Sequence, residues 1–178
     1  MKRYHKQDKR VLAISPSSRG FGYAVLEGDR FLVDWGVRNV GREKNSQTLQ
    51  KTDELISRYD PHVLALQDHS APDSKRRHRI RDLGKKLEKL ALNRNVRIDR
   101  CSIAAINKSL GQRDRGTKQD RAAIIATLFP DELGTRVPPK RRPWMTEHYR
   151  MDIFDAIGLA VTAAKALIKT TKHAKVRD

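Results

Sequence analysis

Three apolar runs stand almost end to end near the start of the chain, "VLAIS", "GFGYAVL" and "RFLVDWGV", and only turn-sized segments separate them. β-branched and aromatic residues fill the runs. "PSSR" parts the first pair, and "EGD" parts the second, where Gly28 and Asp29 suit a tight hairpin turn. Strands joined so closely pair with their sequence neighbours, which predicts a three-stranded antiparallel meander. The period then changes. In "SQTLQKTDELISRY", Leu49, Leu55, Ile56 and Tyr59 share one helical face, with Ser46 placed to cap it and Asp60-Pro61 to stop it. "HVLALQ" is nearly continuous in apolar character, as a strand buried on both faces requires.

Helical spacing returns in "KRRHRIRDLGKKLEKLALNRN" through Ile80, Leu83, Leu87, Leu90 and Ala91, with Lys and Arg filling the outer face. "VRIDR" reads as a fifth strand, "SIAAINKSL" as a short helical segment, and "TKQDRAAIIATLF" as a helix capped by Thr117 that ends before Pro130. Gly134, Pro138, Pro139 and Pro143 make residues 130–150 a long loop, the kind of segment that carries function or moves. A final helix from Met151, "DIFDAIGLAVTAAKALI", is apolar around most of its circumference and is expected to lie under the sheet. The α/β order fits one domain over residues 1–178, with 1–9 and 170–178 as flexible basic tails.

Charge narrows the partner. Lys and Arg number 38 against 21 Asp and Glu, a net charge of +17, which disfavours self-association and favours a polyanion. Nucleic acid is the expected partner, with a ribosome-associated structural role as another way to use the same charge. Cys101 is the sole cysteine, so neither an internal disulfide nor a cysteine zinc site can form, as suits a reducing compartment. The basic opening "MKRYHKQDKR" lacks the apolar segment that a signal peptide needs after it, and no apolar run approaches the ~18 residues of a membrane helix. A soluble, unexported, cytoplasmic protein is expected.

Asp152 and Asp155 open the last helix three residues apart, so their carboxylates lie on one face near its N-terminus. The pair can ligate one hard cation, or it can merely cap the helix and complement its dipole for about 0.3–1 kcal/mol each.

Here the chain resembles the RuvC family of Holliday-junction resolvases, within the RNase H-like nuclease superfamily. "SPSSRGFGYAV" is similar to that family's first motif, Asp-Pro-Gly-Ser-Arg followed by Gly-Tyr-Gly-Val, with Pro16, Ser18, Arg19, Gly22, Tyr23 and Val25 in register. "PHVLALQDH" resembles its fourth strand, which ends Ala-Ile-Glu, and "DIFDAIGLAVTAA" its final helix, Asp-Ala-Ala-Asp-Ala-Leu-Ala. Lys108 and Lys118 fall near positions where the family carries functional lysines, if a gap is admitted. The resemblance implies an RNase H-like fold: a five-stranded mixed sheet, three antiparallel strands then two parallel, with helices on both faces. It also implies four acidic residues around two Mg²⁺ ions, because adjacent divalent cations repel each other unless carboxylates neutralise them.

Two of those four carboxylates are replaced here by neutral groups. Ser15 stands where the family has its first-strand aspartate, and Gln67 aligns with its fourth-strand glutamate. Hydroxyl and amide oxygens can donate lone pairs to a cation but bring no negative charge. Asp152 and Asp155 alone are expected to hold one Mg²⁺ or Mn²⁺ weakly. Asp68 follows Gln67 and can join them as a third metal ligand only through a bulge or an early strand end, since strand neighbours point to opposite faces. His69 then becomes a ligand or proton shuttle, or a solvated loop residue. Ser15 lacks the adjacent base a nucleophile needs.

The resemblance also leads one to seek an aromatic wedge after the fourth strand, and "DHSAPDSKRRHR" has none. Lys75, Arg76 and Arg77 there, with Arg19, Lys108, Lys118, Arg141 and Arg142, are the expected phosphate contacts. Trp144 either supplies replacement stacking beside Arg141 and Arg142 or tucks onto the core. Three readings follow: a nucleic-acid-binding RuvC-like protein with weakened or lost nuclease activity, a metal-dependent endonuclease using Asp68, Asp152 and Asp155, or a ribosome-associated structural protein. DNA, branched or not, and RNA stand open as ligands, and so does a homodimer.

Overall fold

The structure is a computed structural model that describes residues 9–69, 78–112 and 116–175. Strands β1 (Arg10–Pro16), β2 (Gly20–Glu27) and β3 (Phe31–Asn39) form the expected meander, and β4 (Val63–Gln67) and β5 (Arg97–Cys101) extend it in the order β3-β2-β1-β4-β5. β1–β2 and β2–β3 pair antiparallel, whereas β1–β4 and β4–β5 pair parallel. This is the five-stranded mixed sheet of the RNase H-like fold.

Alternation along the central strands divides the core in two. Val11 and Ala13 of β1, Ala24 and Leu26 of β2, and Val63 and Ala65 of β4 pack with α6 (Met151–Lys175), joined by residues of α3 (Ile103–Ser109), α4 (Lys118–Leu128) and α5 (Pro130–Leu133). Leu12, Ile14, Tyr23, Val25, Leu64 and Leu66 face the other way, against Leu55 and Ile56 of α1 (Lys44–Tyr59) and Leu83, Leu87 and Ala91 of α2 (His78–Asn93). Period-two burial on strands clad on both sides is what near-continuous apolar runs produce.

Several local expectations shift. α1 begins at Lys44, not after Ser46, and its N-cap Glu43 makes no side-chain capping bond; Asp60 closes the helix in the left-handed conformation, as the Asp-Pro stop implied. Thr117 does cap α4, in a reciprocal capping box with Asp120. Pro130 starts the extra turn α5, its fixed φ and missing N–H suiting a first helical position. α6 runs on to Lys175, into the stretch read from sequence as a tail.

One contact fixes how α6 sits on the sheet. A Cβ at Gly22 would lie 2.0 Å from the Asp152 carbonyl oxygen, so the helix start rests directly on β2 backbone. No helix among the described residues is long and apolar enough to cross a membrane.

Candidate functional site

The β1–β2 turn, the end of the 134–150 loop and the first turn of α6 enclose a cavity of about 350 Å³ lined by Ser17, Ser18, Arg19, Lys118, Glu147, Asp152 and Asp155, among others. Each wall is held by its own contacts. Lys44 Nζ donates to the Ser18 carbonyl (2.6 Å) and Arg79 to the Ser17 carbonyl (3.0 Å), which ties the turn to α1 and α2. Arg19 reaches across to the Glu147 carbonyl (3.0 Å), joining the turn to the loop. The capping box roots Lys118 at the start of α4, and Gln119 holds the Pro138 carbonyl (2.8 Å), fixing the loop's other end.

Asp152 is only 7% exposed, and its Oδ2 accepts no hydrogen bond. Burial raises its pKa above the usual carboxylate value; the Ser17 hydroxyl pulls the other way, and the charge on Asp155 adds to the rise. Ser17 Oγ is close enough to exert that pull, yet it too completes no well-directed hydrogen bond. Two buried polar atoms without partners, facing one cavity, are uncommon in a folded protein.

Asp155 and Glu147 are engaged differently. Lys118 Nζ lies 2.8 Å from Asp155 Oδ2 and 2.9 Å from Glu147 Oε1, with Glu147 Oε2 at 3.1 Å. Burial opposes the charge on Lys118, but the two carboxylates outweigh it and hold its pKa above the ordinary lysine value.

The expected site residues do not all converge. Asp152, Asp155, Arg19 and Lys118 line the cavity. Ser15 is 4% exposed and pairs with Gly22 one residue behind the wall. Gln67 and Asp68, with His69, line a separate cavity of about 140 Å³ against Arg81 and Lys85 of α2 and Arg100 of β5. β4 ends at Gln67, yet neither that end nor a bulge brings Asp68 to Asp152 and Asp155. Asp68 N–H donates to the Cys101 carbonyl (3.0 Å), continuing the β4–β5 ladder, so Asp68 follows Leu64 and Leu66 onto the α2 face. Lys108 is exposed on α3 away from the cavity, and Arg141 and Arg142 lie on the exposed loop, while Lys75, Arg76 and Arg77 lie outside the described residues. Trp144 is not tucked onto the core but 76% exposed, with the Arg142 guanidinium 5.6 Å from its ring centroid.

Sequence reasoning missed Glu147 and Ser17. Glu147 is the sole carboxylate between Glu132 and Asp152, alone within a basic loop, and that isolation was the available signal.

A pair of divalent cations does not fit this donor set. Among the described residues no three His, Cys, Asp or Glu side chains are arranged to hold a metal ion. The residues at the β1 and β4 positions are neutral, and the ammonium of Lys118 engages Asp155 and Glu147.

A five-stranded mixed sheet of this order, with α6 packed against it, has the RNase H-like fold. Within that fold the chain is similar in structure to RuvC. It superposes on Thermus thermophilus RuvC with a TM-score of 0.67 at 16% identity, covering 90% of this chain and 97% of that one. The same protein in complex with Holliday junction substrate gives 0.63 at 16% identity, covering 89% and 96%. The yeast mitochondrial Holliday junction resolvase gives 0.61 at 15%, covering 92% and 81%. In sequence, 68 residues are 37% identical to the crossover junction endodeoxyribonuclease RuvC of Hydrogenovibrio crunogenus, a match covering 34% of this chain and 40% of that relative. No family model matches the chain.

Proposed function

We propose that this protein binds branched or locally unpaired nucleic acid across the cavity between the β1–β2 turn and α6, and that it does so without efficient phosphodiester cleavage. The observation that carries the reading is the acidic site itself: Asp152 and Asp155 remain on an RNase H-like fold, while Ser15 and Gln67 bring no charge and Asp68 opens on the other face. Hydrolysis by two bound ions depends on carboxylate charge to hold those ions, and the deficit falls on that requirement. Backbone binding does not share it, because a net charge of +17 attracts phosphate whether or not ions are held.

The likeness to a RuvC structure bound to Holliday junction substrate favours DNA, in branched form, as the first ligand to test. The exposed Trp144 with Arg142 beside it supports a preference for unpaired bases, which aromatic rings and guanidinium groups stack upon without reading sequence. An endonuclease built on Asp68, Asp152 and Asp155 draws less support, since one of its three carboxylates is on the far side of the sheet.

Fluorescence anisotropy on four-way junction, duplex and single-stranded DNA tests this, run from 50 to 200 mM salt and followed by gels with Mg²⁺ or Mn²⁺. The expected result is tightest binding to the junction, affinity falling steeply with salt, and no accumulation of cut strands. Salt-independent affinity, or rapid cleavage with either ion, overturns the reading. Preference for structured RNA or ribosomes over every DNA form redirects it to that partner.

A further inference from the structure

We propose that Lys118 is a tethered counterion for this cavity, its ammonium standing in the place of a divalent cation and excluding one. The inference rests on the non-catalytic reading above and concerns the cation alone, so it is tested without nucleic acid.

Three carboxylates face the cavity, those of Glu147, Asp152 and Asp155, and they come from a loop and a helix that meet there. Such a convergence normally needs a cation to hold it. Lys118 supplies one from within the chain, with contacts of 2.8 Å to Asp155 and 2.9 Å to Glu147. An ammonium has three N–H donors, and its contacts here go to two carboxylates from different segments. The root of the side chain is fixed by the Thr117–Asp120 capping box, so the charge is presented by a rigid helix start.

Tethering decides the competition. A group held on the same chain acts at an effective concentration in the millimolar range, comparable with or above free divalent ion, and needs no dehydration of a tightly hydrated Mg²⁺ on each visit. Lys118 neutralises one of the three charges, leaving Asp152 Oδ2 and the Ser17 hydroxyl facing the cavity without partners. Without Lys118, the carboxylates of Asp155 and Glu147 lose the cation between them, and Asp152 adds a third negative charge to the same cavity. Hard divalent ions bind oxygen at about 2.0–2.6 Å, so the Asp155 and Glu147 oxygens, at 2.8 and 2.9 Å from the ammonium, need to close in by less than about 1 Å to meet an ion placed there.

The experiment is Mn²⁺ binding to the full chain, read by the electron paramagnetic resonance signal of free Mn²⁺ and, in parallel, by thermal shift. Wild type is compared with Lys118→Met, which keeps the apolar stem, with Lys118→Gln, which keeps a polar end, and with Lys118→Met combined with Asp155→Asn. Wild type is expected to bind Mn²⁺ no tighter than millimolar. Both single variants are expected to gain at least tenfold in affinity and to show a larger Mn²⁺-induced rise in Tm, and the double variant to lose the gain. Wild-type binding as tight as that of the single variants overturns the proposal. So does a single variant, folded or destabilised, whose affinity and Tm respond to Mn²⁺ no more than those of wild type.

Discussion

Asp152→Asn is expected to stabilise the protein at neutral pH. The carboxylate is 7% exposed, its Oδ2 has no partner, and its pKa is raised chiefly by burial. A buried polar group left unsatisfied costs about 1–3 kcal/mol, and more when charged. Against this stands the position of Asp152 in the first turn of α6, where the helix dipole returns about 0.3–1 kcal/mol. The difference is a net cost of about 1 kcal/mol. Asparagine keeps the shape, sheds the charge, and brings an amide that can donate to the unpartnered Ser17 Oγ. For a chain of this length about 1 kcal/mol corresponds to roughly 2–4 °C in Tm.

The pH dependence carries the diagnosis. A carboxylate whose folded-state pKa is raised contributes stability that is fully present below its unfolded value, about 3.9, and lost as pH rises through the folded value. Wild type therefore loses this contribution on going from acid to neutral pH, and the variant does not. Differential scanning calorimetry of both proteins between pH 4 and 7.5 checks it, with the Tm gap expected to open as pH rises. A gap that is negative at pH 7, or equal at both ends of the range, refutes the reasoning.

Replacing Gly22 with Ala places a methyl 2.0 Å from the Asp152 carbonyl oxygen, so it is expected to cost at least 1–3 kcal/mol, measured by urea denaturation, and to weaken nucleic-acid binding. Trp144→Ala is expected to lower affinity for single-stranded and junction DNA by about 1–3 kcal/mol per lost stack while leaving the salt slope unchanged; an unchanged affinity removes the ring from the interface. Asp68→Asn, added to Lys118→Met, is expected to leave the acquired Mn²⁺ affinity within twofold, because Asp68 lines the other cavity. Cys101, buried and with its thiol pushed up to about 12 by that burial, is expected to resist a thiol-labelling reagent until the protein unfolds.

Much of the fold was legible because its signals are local. The meander follows from three strand-forming runs with turn-sized gaps, and the depth of α6 from an apolar circumference. The Thr117 cap was visible as a residue type in front of a helical period. Failures came where geometry is set by distant partners. The start of α1 is decided by contacts such as Lys44 to Ser18, which no window around Ser46 contains. Asp152 and Asp155 share a helix, so spacing alone brought them together. Glu147 arrives through a loop whose course depends on Arg19 and Gln119, and nothing in its own neighbourhood announces that. Asp68 was the instructive case: alternation had already assigned it to the wrong face, and only an irregularity, which the ladder to Cys101 forbids, offered a way round.

That alternation has a further meaning for how such a chain can change over time. Adjacent residues of β4 pack into separate halves of the core, Val63 and Ala65 with α6 on one side and Leu64 and Leu66 with α1 and α2 on the other. The sheet works as a partition, so drift in one compartment leaves the shape of the other intact. A change of charge behind one face can be tolerated while the opposite face goes on being refined for a different contact. Two histories can thus be written into a single small domain, read from odd and from even positions of the same strand.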